Sequence, residues 1–398
     1  MRPIYSITAL LIASFLAVSS FAFVEQATAA SYQEKLAAYH AAYSKFQKQE
    51  KRYWAEIERK KDIRTAKRRA GKSFVRDDFV LSQPPQYTGP KRPRNPDAGP
   101  IAPKPPKKST LPRADELRAA MRERYGHKLP KVKEKEFKLA FAREAKRYGI
   151  SAEQVIGVYA LETGGLGPFD RVSGEIPKMN RKCEVVEYVG RPLSTALGYF
   201  QLLTANTSST VAGNAKGPKS ELFANRLRAK ASEHRGKRKR ELKRKAKLVD
   251  RIVKDMRVAI SRMNVRKNNW DEFRALGRTQ LGRAVHALNL DPDIGPMIQM
   301  SKLAFVRNYA IKKGLGNVPS DRLELMNLVG YPRGAKMLEP VAFNVPTANF
   351  VTATEIRGNR SVLGDKTVAQ SLEKIRRVIG KRKQECGSKE FFKMWKKA

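Results

Sequence analysis

What this chain lacks first is the material for metal chemistry. It has two cysteines, Cys183 and Cys386, and four scattered histidines, His40, His127, His234 and His286, none set at metal-ligand spacing. No metal and no cofactor are therefore expected. A phosphate-cradling glycine loop and a serine–histidine nucleophile motif are missing too. Stretches alternating apolar and polar residues, as half-buried strands require, are few, so the expected fold class is mainly α. Beyond the first two dozen residues no segment approaches the roughly twenty apolar residues of a membrane-spanning helix. Acidic residues are scarce as well: 38 Asp and Glu stand against 81 Lys and Arg, a formal net charge of +43.

A charge of that size draws polyanions and speeds encounter with them. In the densest run, Arg226 to Arg257, fifteen Lys and Arg face four acids. Yet Leu242, Ala246, Val249, Val253, Met256 and Ile260 step by four and three through the same run, which predicts a packed amphipathic helix with a basic outer face. No aromatic side chains are interleaved with these bases, and no helix-turn-helix or zinc-finger pattern appears, so no specific nucleic-acid partner is expected.

The chain opens with Met1-Arg2, an apolar stretch from Ala9 to Val18, and the small-x-small triplet Ala27-Thr28-Ala29. These predict a cleaved export leader over 1–29 and a periplasmic or secreted protein, with an uncleaved anchor as the alternative. Residues 30–78 read as a basic amphipathic helical segment, with Tyr32, Leu36, Tyr39, Tyr43 and Phe46 at helical spacing. Ten of the 22 prolines lie between Pro84 and Pro112, so 79–113 reads as an extended linker. Helical periodicity resumes at Ala114. One large domain over 114–350 is expected, interrupted by the basic helical insertion at about 226–262 and followed by a basic tail, 351–398, with one helix. In an oxidising compartment Cys183 and Cys386 invite a disulfide that would tie the chain's end to this domain; two separate thiols are the alternative.

Within the large domain Glu162 is the most informative residue. Val155, Val158 and Tyr159 lie on its helical face and Gly164-Gly165 follow it, which places a carboxyl group at the last turn of an apolar helix. Partial desolvation there raises a carboxyl pKa and lets it carry a proton to a leaving oxygen. Some thirty-five residues later comes Ser194-Thr195-Ala196-Leu197-Gly198-Tyr199-Phe200-Gln201, then Asp291-Pro292-Asp293-Ile294, then Glu324-Leu325-Met326-Asn327-Leu328-Val329-Gly330. This series resembles the lytic transglycosylases of the lysozyme-like superfamily. Its counterparts there are an E-S/T-G helix end, S-x-x-A-x-G-x-x-Q, a D-P-x-x-N-I step into the next helix, and A-Y-N-x-G. Met326 stands where that family has tyrosine, a role left unfilled or moved to Tyr331.

The resemblance implies a lysozyme-like α-helical catalytic domain acting on peptidoglycan glycan strands. Glu162 would serve as general acid and then base, with the substrate's N-acetyl group supporting the cationic carbon and 1,6-anhydro-MurNAc ends as product. Ser194, Gly198, Tyr199, Gln201 and Asn327 would contact the sugar, while Phe200 reads as core. Ordinary glycosidases need a second carboxylate. Asp170 is the candidate, which would make the enzyme a hydrolytic muramidase, although Asp after Pro168 is the better fit to a turn residue; Glu175 reads as a solvated loop residue. The other alternative is a non-catalytic envelope-binding protein that keeps the groove. Anionic envelope polymers or lipid head groups are the partners expected for the basic surface.

Overall fold

The computed structural model describes residues 8–96, 98–99, 110–180, 183–213, 221–266 and 269–398, with side chains from residue 31 onward, Glu221 excepted. Residues 1–7, the basic start of the expected leader, lie outside the described residues, as do the side chains of its cleavage triplet. Sixteen α-helices and one two-stranded hairpin form the described structure, divided into two compact units, Met1–Lys107 and Lys108–Ala398. No helix among the described residues is long and apolar enough to cross a membrane.

The first unit is a single long helix, α1 (Thr8–Arg69), with an extended segment laid along it. After Gly71 the chain turns through Arg76–Asp78, where the Asp78 carboxylate accepts from Val75 N at 2.8 Å and pairs with Lys67 at 2.7 Å. Phe79 then buries against the helix under the Arg64 guanidinium, and Tyr53 Oη donates to Ser82 O at 3.1 Å. Tyr87 sits among Tyr39, Tyr43 and Phe46, with ring centroids 6.1, 5.4 and 5.6 Å away. The aromatic stripe of α1 thus has a partner. Much of 79–96 is extended, and its first part lies along the helix through Phe79, Ser82 and Tyr87; residue 97 and residues 100–109 lie outside the described residues.

In the second unit α2 (Ala114–Tyr125) and α3 (Glu134–Arg147) lead to α4 (Ala152–Thr163). A capping box starts α4: Ser151 Oγ accepts from Gln154 N at 3.2 Å while Gln154 Oε1 accepts from Ser151 N at 3.1 Å. Gly164, at φ 71°, ends it in the left-handed conformation that glycine adopts without penalty. Val155, Ile156, Val158 and Tyr159 are buried, making α4 the central helix. The hairpin β1 (Glu175–Met179) and β2 (Val185–Gly190) follows, with Ile176 opposite Val189.

Next come α5 (Thr204–Val211) and the expected basic insertion, which is a helical hairpin of α6 (Glu221–Ser232) and α7 (Gly236–Arg262). Leu242, Ala246, Val249, Val253 and Met256 of α7 are buried, while Lys243, Arg244, Lys247, Arg251 and Lys254 face outward. Lys245 breaks the pattern, being 1% exposed. Its ammonium donates to Asp291 Oδ1 at 3.0 Å and Asp293 Oδ2 at 2.8 Å, and those carboxylates hold its pKa up against burial. Asp291 Oδ1 also accepts from the amides of Asp293 and Ile294 at 2.8 and 3.2 Å. The Asp-Pro-Asp step therefore anchors the inserted hairpin as well as opening a helix. Lys245→Met should leave two buried carboxylates without their shared cation and cost about 3–5 kcal/mol of unfolding free energy, read from urea midpoints; a loss below 1 kcal/mol would mean that Lys230 and Arg238, which also reach Asp293, suffice.

The chain continues through α8 (Trp270–Arg278), α9 (Gln280–Ala287), α10 (Gly295–Lys312), α11 (Ser320–Val329), α12 (Tyr331–Met337), α13 (Ala353–Gly358) and α14 (Arg360–Leu363). It ends with α15 (Val368–Arg382) and α16 (Cys386–Lys397). Residues 351–398, read from sequence as a tail, supply core instead. Leu372, Ile375 and Ile379 are buried, and Phe391 packs 5.3 and 5.6 Å from the rings of Tyr159 and Tyr199. The approach is close enough to require glycine. A Cβ at Gly165 would stand 2.2 Å from Arg382 O, and one at Gly387 would stand 2.5 Å from Tyr159 Oη. Cys183, in the hairpin loop, and Cys386, opening α16, form a disulfide with Cα atoms 6.1 Å apart. A bridge of this kind is consistent with an oxidising compartment.

Candidate active site

Two helices build the site. Gly157 of α4 faces Ser320 of α11 so closely that a Cβ there would lie 2.3 Å from that of Ser320. Glu153, one turn earlier, receives Ser320 N at 3.1 Å and the Ser320 hydroxyl, setting a carboxylate at the positive end of α11. The two helices therefore run side by side, and what lies further along α4 meets what lies further along α11. Glu162, five residues beyond Gly157, meets Glu324 and Asn327, which share one helical face at i, i+3. Asn327 Nδ2 stands 3.2 Å from Glu162 Oε1 and 3.5 Å from Glu324 Oε1.

The Asn327 amide thus stands between the Glu162 and Glu324 carboxyl groups, which lie close enough to act on each other's charge. Glu162 is half-buried and Glu324 is 1% exposed. Burial raises both pKa values, and for Glu324 the adjacent Glu162 charge raises it further, well above the carboxylate range. Lys302 of α10 and Arg171 oppose this at Glu162, and Lys302 is itself pulled down by burial. Two neighbouring carboxyl groups cannot both be ionised cheaply.

The 194–202 loop is tied to Glu162 through Arg171. Arg171 Nη1 donates to Thr163 O at 3.0 Å, satisfying a terminal carbonyl of α4, while Arg171 O accepts from Gly198 N at 3.0 Å. Gly198, at φ 78°, has Phe169 O and Gln299 Nε2 each 3.2 Å from where a Cβ would be, so the position requires glycine. Gln201, also at positive φ, donates its amide to Gly198 O at 2.8 Å and Arg171 O at 3.4 Å. The half-buried Ser194 accepts from Ala196 N at 3.2 Å, a hydroxyl turn. Buried Gln299 of α10 accepts from Phe200 N at 3.2 Å.

Several sequence expectations need correction. Tyr199 is fully buried with its hydroxyl donating to Glu134, so it fixes the loop to α3 and offers nothing to a ligand. Phe200 is buried, as read from the sequence. Asp170 has both carboxylate oxygens engaged, by Tyr188 Oη at 2.6 Å and Arg118 at 3.4 Å, which removes it as a free second carboxylate. Glu175 is 3% exposed, pairs with Arg113 at 2.5 Å and accepts from Val172 N at 3.0 Å. It is a buried brace. Met326 is fully buried against Gly334, and Tyr331 packs on Phe305 and Tyr309. Sequence reading missed Glu324, Lys302, Arg171 and Gln299. Only Glu324 carried a signal, its i, i+3 spacing from Asn327. Among the described residues no group of three or more His, Cys, Asp or Glu is arranged to hold a metal ion.

His286 of α9 secures the loop from behind. Its Nε2 faces Thr195 O at 2.8 Å and its Nδ1 faces Thr207 Oγ1 at 2.9 Å, which fits a neutral ring donating from Nε2. Burial lowers its pKa to about 4. The unfolded chain protonates this ring below about pH 6.5 and the folded one only near 4, so its contribution to stability is present above 6.5 and lost as pH falls. His286→Gln should flatten the pH dependence of urea unfolding between pH 6.5 and 4 by up to about 3 kcal/mol. Identical slopes for variant and wild type would refute the assignment. The chain matches no family model, no curated protein and no solved structure.

Proposed function

We propose that this protein is an exported peptidoglycan lytic transglycosylase with a lysozyme-like catalytic domain, in which Glu162 protonates the glycosidic oxygen between MurNAc and GlcNAc. After the C1–O bond breaks, the Glu162 carboxylate removes the proton of the muramic 6-hydroxyl as that oxygen closes on C1. The proton balance is restored and no water enters the product. The observation that carries this reading is the meeting of Glu162 with Asn327 at 3.2 Å, two residues 165 positions apart that belong to separate motifs of the same resemblance.

Carboxylate geometry supports the non-hydrolytic chemistry. Retaining glycosidases hold their two carboxyl groups about 5 Å apart and inverting ones roughly 6.5–9.5 Å apart, leaving room for a nucleophile or a water. Glu324 is buried beside Glu162 with the Asn327 amide reaching both, and Asp170 is occupied elsewhere. Neither is set to attack the sugar. The outward Lys and Arg of α7 would retain the enzyme on anionic envelope polymers or lipid head groups, and the disulfide fits an extracytoplasmic compartment. Incubating the purified protein with sacculi tests the reading through release of soluble muropeptides. The buried Met326, without a hydroxyl where the family has tyrosine, favours the second reading, a glycan-binding protein without turnover; sacculi bound but left intact would establish it.

A further inference from the structure

We propose that Glu324 is a positioning residue that shares one proton with Glu162, so that the two carboxyl groups work as a single acid–base unit. This inference rests on the reading of Glu162 as the acid of a glycan-cleaving site.

Three observations carry it. Glu324 is 1% exposed, which sets it neither as nucleophile nor as base for water. Its Oε2 meets no N–H or O–H donor among the described residues, a costly condition for a buried carboxylate but the natural one for a carboxylic acid whose hydroxyl donates to a neighbour. The neighbour is Glu162: Asn327 Nδ2 stands 3.2 Å from Glu162 Oε1 and 3.5 Å from Glu324 Oε1, so one amide spans both carboxyl groups. The charged groups facing the pair come from separate elements: Lys302 from α10, and Arg171 from the loop after α4, which acts on Glu162.

The step balances without another reagent. The pair begins with one proton, which passes through Glu162 to the glycosidic oxygen as the C1–O bond breaks and the GlcNAc 4-hydroxyl leaves. For that moment both glutamates are anionic, and Lys302 offsets the added charge. A carboxylate dianion is a stronger base than a lone glutamate, which favours removal of the 6-hydroxyl proton as O6 bonds to C1. The proton then lies between Glu162 and Glu324 again. A pair sharing one proton titrates in two separated steps that belong to the pair.

Glu324→Gln tests this, since the amide keeps the size and one hydrogen bond but cannot carry the proton. With sacculi as substrate, the alkaline limb of kcat/KM should move to lower pH by about one pH unit or more, with activity recovered as the buffer is acidified. An equal fractional loss at every pH would make Glu324 merely structural and overturn the proposal. Carboxyl titration by NMR of protein labelled with 13Cδ-glutamate gives a readout that needs no turnover. Wild type should show two coupled steps, and Glu162→Gln and Glu324→Gln should each leave one unsplit step at a pH below the upper wild-type step. If wild type leaves sacculi intact yet the coupled steps are present, the pair stands and the enzymatic reading falls. Independent titration of the two glutamates in wild type refutes the pair, whatever the activity.

Discussion

Glu162→Gln should lower fragment release from purified peptidoglycan by about a thousand-fold, near the middle of the range that general acid catalysis contributes. The amide preserves the volume of the side chain and can still contact Asn327, so glycan binding and the helix end should survive. Only the transferable proton is removed. The stability effect has the opposite sign. Because burial raises the pKa of Glu162, the stability it contributes is present below about pH 4.5 and is lost as pH rises through its folded value. The variant should therefore unfold at equal or higher urea than wild type above neutral pH, the signature of a site built at some cost to the fold. Activity retained within tenfold, in a variant confirmed by mass, would remove Glu162 from the chemistry.

Opening the Cys183–Cys386 bridge should be the largest single loss of stability. The bridge spans 203 residues, and the chain-entropy relation gives about 5 kcal/mol for a loop of that size, set against total stabilities of roughly 5–15 kcal/mol for globular domains. The structure concentrates that loss at the site. Cys386 begins the helix whose Ser388 N donates to Gly165 O at 3.1 Å and whose Phe391 packs against Tyr159, both at the end of α4 that carries Glu162. A Cys183→Ser, Cys386→Ser double variant, or wild type under reductant, should show a sharply lower urea midpoint and lose protection of the α4 end in hydrogen exchange. A midpoint within about 1 kcal/mol of wild type would mean that packing of α15 and α16 alone holds the chain's end.

Helical character was legible wherever an apolar stripe had the right period. The stripes of α1 and α7 both appear in the sequence, and Gly164 marks the end of α4 as its position suggested. What covers a stripe was not legible, because periodicity names a face and not its partner. Tyr87 meeting Tyr39 and Tyr43, and Phe391 meeting Tyr159, are contacts between distant segments with no local trace. Burial of polar groups was equally hidden. Tyr199 and Gln201 looked alike as hydrogen-bonding side chains, yet one points into the aromatic core and the other turns onto its own loop. Charge counting was blind to Lys245, which lies in a run of surface lysines but one turn from the buried stripe. At the site itself Glu162 and Asn327 could be named from their motifs. Glu324 needed the helix crossing at Gly157 to show that its face was turned toward Glu162.

The most direct test of the account is mass spectrometry of the soluble fragments that the protein releases from purified peptidoglycan. The account predicts muropeptides ending in 1,6-anhydro-MurNAc, the product expected if Glu162 takes the 6-hydroxyl proton as O6 closes on C1. Fragments with reducing ends would contradict it and require a hydrolytic water at Glu162.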